Sequence, residues 1–256
     1  MIEIIKNAFA LTKKHALILI GAILSIFVIS MIIGFITTAF AAIPFMNALA
    51  NIVSVASQLY LGVALLKLVF VIVDGREPEF SDIKPRFSEI LKYFSSGLLI
   101  ALIFLVVFMA TIFLMGAVGV INTNITGMLS EIFLNAANAS KYSSQEIIYG
   151  LGVLFLLAIP AIILYFRLQF ANYIVIDKEN ETAFTAVMRS ARITKGYLFY
   201  IVLAVLCIIL LNIIGLLMFF VGLLFTMPMS LLILILLYRN LEQNYEEDTI
   251  ESRTNE

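Results

Sequence analysis

The side chains in this chain that could do chemistry are few and far apart. One histidine, His15, stands beside Lys14 at the mouth of a long apolar run, and one cysteine, Cys207, lies inside another. A serine nucleophile needs a neighbouring base, and no second histidine is there to supply one. The sequence has no His-Glu-x-x-His pair, no Gly-x-Ser-x-Gly elbow and no glycine-rich phosphate loop with a lysine. A single cysteine rules out an internal disulfide and a cysteine-based metal cluster. These residues point away from an enzyme, and they ask for no cofactor and no metal.

What remains is a small set of polar residues inside apolar runs. Lys67 lies seven residues before Asp74, and Arg167 ten before Asp177. At the helical rise this puts them about 10 and 15 Å from the ends of their runs. Such cations either snorkel to the water interface or line a cationic cavity open to the cytoplasm, where an anionic headgroup or solute would bind. Gln169 and Asn172, beside Arg167, fit the second reading, because a polar cluster costs less when it lines a wet pocket. Asn47, Asn51, Ser54 and Gln58 recur at i, i+4, i+7 and i+11, on one helical face. In hydrocarbon this stripe must face protein, through interhelical hydrogen bonds, or a hydrophilic groove. All 17 carboxylates fall outside the apolar runs or at their ends, with Asp74 and Asp177 at exits. Proton pumps keep an ionisable acid at mid-membrane, so this distribution speaks against one.

The elements that must position these residues follow from composition. The chain is 62% hydrophobic and 13% charged, against about 45–50% and about 25% in soluble domains. The excess sits in runs long enough to cross a bilayer, which implies an all-α, polytopic membrane helical bundle. Six spans are expected near 16–42, 46–73, 98–121, 147–176, 198–214 and 219–238. They form one transmembrane domain over 1–241, followed by a disordered acidic tail over 242–256. The first run is too long for the core of a signal peptide. Leu198 to Tyr238 is too long for one crossing, and Gly215 and Gly222 mark its turn. Under this arrangement 13 of the 16 basic residues fall on one side and Lys141 alone on the other. The positive-inside bias then places both termini in the cytoplasm. The loop 122–146 has an apolar middle, Ile125 to Leu134, with Asn124-Ile-Thr and Asn138-Ala-Ser as glycosylation acceptors in form only. A net charge of −1 gives no pull toward nucleic acid; the expected partner is the lipid bilayer, with anionic lipid a candidate ligand, and no protein partner is indicated.

The spans group into three units, each an amphipathic stretch followed by a helical hairpin. The stretches are Ile2, Ile5, Phe9; Phe87, Ile90, Leu91, Phe94; and Phe184, Val187, Met188, Ala191, each with charged or polar residues opposite. Their periodicity describes helices lying flat in the membrane interface. A proline opens or interrupts each second span: Pro44, Pro160 and Pro228. Lys67-Leu68-Val69-Phe70 and Arg167-Leu168-Gln169-Phe170 match in two of the units. Ser30, Gly34, Thr38 and Ala42 form a small-residue ridge on the first span, expected to pack against the second.

Ala183 to Tyr200, the two following spans and the ending Pro228 to Leu241 resemble a loose group of bacterial integral membrane proteins. That group includes uncharacterised families and the membrane domain attached to some glycerophosphoryl diester phosphodiesterases. The resemblance implies a six-span protein of the bacterial inner membrane; the chain has no room for the soluble phosphodiesterase domain, so that activity does not carry over. The expected role is non-enzymatic: structural, envelope-maintaining or regulatory. The alternative is a small transporter or lipid-handling protein that uses the cationic cavity.

Overall fold

Hydrocarbon offers no partner for a bare peptide group, so long apolar runs must close their hydrogen bonds within helices. A computed structural model of the chain shows this outcome. It describes residues 1–117, 127, 131, 141–218 and 221–254. The helices are α1 (Ile2–Lys14), α2 (Ala16–Ala39), α3 (Pro44–Val73), α4 (Phe80–Ile83), α5 (Phe87–Ala117), α6 (Ser144–Leu168), α7 (Ala171–Asp177), α8 (Ala183–Ile193), α9 (Leu198–Leu217) and α10 (Leu223–Thr254). The protein is an all-α polytopic bundle, with six helices among the described residues long and apolar enough to cross a membrane. Apart from Gly127 and Glu131, the expected apolar segment Ile125 to Leu134 lies outside the described residues, as do both acceptor motifs.

Local chemistry sets the helix ends. Pro44 opens α3 at its first turn, where its missing N–H costs nothing. At the other end Gly75, with φ +75°, allows a Schellman closure. The Gly75 amide donates to the Ile72 carbonyl and the Arg76 amide to the Val71 carbonyl. Reciprocal capping boxes start α6, through Ser143 and Glu146, and α8, through Thr182 and Thr185.

The described residues divide into two compact units, Met1–Gly97 with Phe170–Glu256, and Leu98–Gln169. The second unit holds most of α5 and all of α6, and its side chains are largely exposed; Gly150, Val153 and Leu168 are buried. Leucine and phenylalanine on such a surface face lipid tails as apolar as themselves.

The first unit has its core near the exit ends of the second spans. Leu68 to Ile72 of α3, Ile174 and Val175 of α7, and Leu232, Ile233, Ile235, Leu237 and Tyr238 of α10 are buried there. Tyr238 is fully buried and anchors an aromatic cluster with Phe70, Phe170 and Tyr173 at ring separations of 6.1, 6.2 and 6.3 Å.

Four expectations are corrected here. The middle amphipathic stretch is not a separate surface helix; it is the first turns of α5, which runs unbroken from Phe87. The helix α1 does not lie apart on a surface. It packs along α10, burying Ala8 and Thr12, and Phe9 meets Phe225 edge-on. Phe225 precedes Arg239 by 14 residues, about 21 Å of helix. The ridge Ser30, Gly34, Thr38 and Ala42 is exposed, and a Cβ on Gly34 would meet nothing within 4 Å. The close approach of small residues occurs instead in the last hairpin, where a Cβ on Gly222 would lie 2.7 Å from the Gly215 carbonyl oxygen. Finally, residues 242–254 do not form a disordered tail, because α10 continues to Thr254 and Glu242 is buried.

Candidate binding cleft at the exit of the second spans

The exits of α3, α7 and α10 meet through charge. Asp74 ends α3, Asp177 ends α7, and Arg239 stands at the corresponding point of α10. The Arg239 guanidinium donates to Asp177 Oδ2 at 2.8 Å and to Asp74 Oδ1 at 2.9 Å. The Tyr238 hydroxyl donates to the same Asp177 oxygen at 2.8 Å. Arg239 also lies over the Phe70 ring, 5.2 Å from its centroid, a favourable cation–π placement. Sequence reading noted Asp74 and Asp177 as exits and missed their partner. The signal was present: a basic residue follows Tyr238 where the other second spans carry an acid.

Beside this junction a cleft of about 400 Å³ opens to the outside of the first unit. Phe70, Val71 and Ile176 give it an apolar floor. Its charged lining comes from Lys67, Asp74, Arg76, Asp82, Lys84, Arg86, Glu89, Asp177 and Glu179. Lys67 Nζ donates to Glu89 Oε2 at 3.1 Å and to the Lys84 carbonyl at 3.1 Å. Glu89 also accepts from the Arg86 amide at 2.8 Å and from Arg86 Nε at 2.9 Å. Arg86 reaches on to the Glu179 carboxylate, and Lys92 donates to the Glu179 carbonyl.

Lys67 therefore lines an open cleft, but the cleft is not cationic: five acids stand against four bases in its lining, with Arg239 beside it as a fifth base. The cause is the unbroken start of α5: its polar face turns inward and carries Glu89 to Lys67, while Phe87 and Leu91 point outward. Arg167 lies in the last turn of α6, in the other unit. Gln169 Nε2 reaches the Phe166 carbonyl at 3.5 Å, and Asn172 Oδ1 is buried without a hydrogen-bond partner among the described residues. The stripe on α3 closes on itself. Asn51 donates to the carbonyl and side-chain oxygens of Asn47, both at 2.8 Å, and Gln58 to Ser54 Oγ at 3.3 Å. Interhelical bonding of the kind expected there appears instead between α9 and α10. Asn212 donates to Ser230 Oγ at 2.9 Å and accepts from Thr226 Oγ1 at 3.1 Å.

A second ionic cluster ties α10 to α8 and to the end of α7. Glu242, only 5% exposed, accepts from Lys178 and from Arg189, and Glu246 accepts from the same two cations at 2.8 and 2.9 Å. Burial draws the Lys178 ammonium down, but its hydrogen bonds to Glu242 and Glu246 outweigh this and hold the pKa above the ordinary lysine value. Arg189 is raised in the same way, with burial opposed by Glu242. The face of α8 turned inward is Ala186, Val187, Ser190 and Ile193, whereas Phe184 and Met188 remain exposed. Only Val187 of the expected stripe is buried.

Among the described residues no group of three His, Cys, Asp or Glu side chains is placed to hold a metal ion. Comparison with known protein families, with curated proteins and with solved structures finds no match for this chain.

Proposed function

We propose that this chain is a lipid-handling protein of the bacterial inner membrane that works by binding, with the cleft at the α3 and α7 exits holding the polar head of a membrane amphiphile. The observation that carries the reading is the lining itself. Lys67, which would have snorkelled alone in a plain bundle, stands in an open cleft of about 400 Å³ whose floor is apolar and whose walls are charged. Ligand sites are concavities of this size, and this one is mainly charged, with Phe70, Val71 and Ile176 its apolar side chains. The cleft lies where second spans end, which is the depth of lipid headgroups. The lone histidine and lone cysteine of the sequence support binding over catalysis. The 13 basic residues on one side support cytoplasmic termini, and therefore a cleft on the cytoplasmic face. The bacterial inner membrane is supported by the resemblance carried by Ala183 to Tyr200 and Pro228 to Leu241.

Native mass spectrometry of the protein released from mixed-lipid membranes tests this reading. The unmodified chain should retain phospholipid, and Ser81→Trp, which fills the cleft from an exposed wall position, should retain less. Equal retention would remove the cleft from the function. A structural or regulatory scaffold is the second reading, favoured by the Asp74–Arg239–Asp177 junction, which ties three second spans together. It is the reading that equal retention would leave.

A further inference from the structure

The cleft's uncompensated charges narrow its ligand class, an inference that rests on the binding role proposed above. Lys67 and Arg86 are met by Glu89, Arg86 also by Glu179, Arg76 by Asp74, and both aspartates by Arg239. Two charges in the lining are left over, Asp82 and Lys84, and they have opposite sign. Neither makes an ion pair with the other or with any further described residue.

We propose that Asp82 and Lys84 receive a zwitterion, a primary ammonium and a phosphate carried on one short head, as in a phosphoethanolamine group. A simple anion would gain Lys84 but meet Asp82 unpaired. A simple cation would do the reverse. A zwitterion gains a charge-assisted contact at each end and leaves the balance of the cleft unchanged. An ammonium bearing hydrogens adds a hydrogen bond to the charge attraction, because ionised Asp82 is an acceptor. Phe70 and Val71 of α3 line the cleft beside these charges. The same headgroup chemistry occurs free in solution and on a lipid, and the experiment separates the two.

The chain has no tryptophan, so Ile176→Trp, on the cleft floor, gives a single fluorescent reporter in otherwise full-length protein held in neutral detergent. It is titrated with phosphoethanolamine, with short-chain phosphatidylethanolamine, with short-chain phosphatidylglycerol and with inorganic phosphate. Saturable change with a zwitterion is expected, weakened about tenfold by Asp82→Asn and about tenfold by Lys84→Gln, since each removes one charge-assisted hydrogen bond. Response to the lipid alone identifies a membrane source, and equal response to the free headgroup a soluble one; both support the inference. Phosphatidylglycerol or phosphate binding as tightly, unaffected by Asp82→Asn, overturns the zwitterion while leaving the headgroup cleft in place. No saturable binding of any probe, together with lipid retention by Ser81→Trp equal to that of the unmodified chain in native mass spectrometry, overturns both.

Discussion

Removing either acid that holds Arg239 tests whether the exits of the second spans are locked as the structure draws them, and the two acids should not weigh equally. The Asp177 side chain is 9% exposed and Asp74 is 35% exposed. Asp177→Ala removes the Arg239 pair on its buried side and also strands the hydroxyl of the fully buried Tyr238. A stranded buried hydroxyl costs about 1–3 kcal/mol, and a hydrogen bond to a charged group contributes about 1.5–3 kcal/mol. The two overlap on one carboxylate, so a loss of about 3 kcal/mol is expected rather than their full sum. Asp74→Ala leaves Asp177 and Tyr238 in place and removes an ion pair of surface character, worth about 0.2–1 kcal/mol. The assay is denaturant unfolding in mixed micelles, read by helical circular dichroism, for both variants and the unmodified chain. Equal losses, or a larger loss for Asp74→Ala, would refute the argument, because the junction would then not be buried on the Asp177 side.

Other consequences are checked the same way. Gly222→Ala pushes a Cβ to within 2.7 Å of the Gly215 carbonyl oxygen and 2.8 Å of its Cα, backbone atoms that cannot swing aside; overpacking of this kind should cost about 1–3 kcal/mol. Gly34→Ala meets nothing within 4 Å and should be neutral or stabilising by up to about 1 kcal/mol from helix propensity, so thermal melting should rank the two far apart. Truncation after Leu241 removes Glu242 and Glu246, both acceptors of Lys178, and leaves Arg189 with Glu181 alone; it should lower the melting temperature by several degrees, whereas loss of a disordered tail would change nothing. The raised Lys178 pKa means that this clamp's contribution is fully present below the unfolded value of 10.5 and is lost as pH climbs through the higher folded value. Stability should therefore hold through pH 10, and the penalty of Glu242→Gln should shrink above about 10.5. Reporter fusions after Lys141 and after Lys178 should report opposite sides of the membrane, with Lys178 cytoplasmic.

Hydropathy made the spans legible because the bilayer fixes their length and their lack of charge, and those are properties of a single segment. The start of α5 was misjudged for a related reason. Phe87, Ile90, Leu91 and Phe94 carry the period of an interfacial helix, but periodicity says nothing about whether a helix stops before the next apolar run. Continuity turned Glu89 toward Lys67 and changed the sign of the cleft. The ridge at Ser30 and Gly34 shows another limit. Small residues at a spacing of four permit close packing without requiring it, and nothing in one segment names the partner. At Gly215 and Gly222 the short connection does name it, and there the expectation of a tight turn agrees with the backbone approach found. Glu242 was hidden because acidic residues in a polar C-terminal stretch read as solvated, and its partners, Lys178 and Arg189, are more than fifty residues away.

The placement of the exit charges bears on what the cleft is for. Three hairpins that each ended in an acid would bring three carboxylates together, and like charges at such range resist approach. One arginine among two acids removes that repulsion and also makes the three exits unequal. Arg239 faces both aspartates, so α10 is held to α3 and α7, while no corresponding bond joins Asp74 directly to Asp177. The cleft lies beside this junction, with both aspartates in its wall. A ligand entering between them would meet carboxylates already committed to Arg239, and would be read by Asp82 and Lys84 instead. Arg239→Met, by releasing both aspartates into the cleft, should shift its preference toward simple cations, measurable as a gain in affinity for ethanolamine relative to phosphoethanolamine in the same tryptophan titration. An unchanged ratio would show that the junction and the cleft are electrostatically separate.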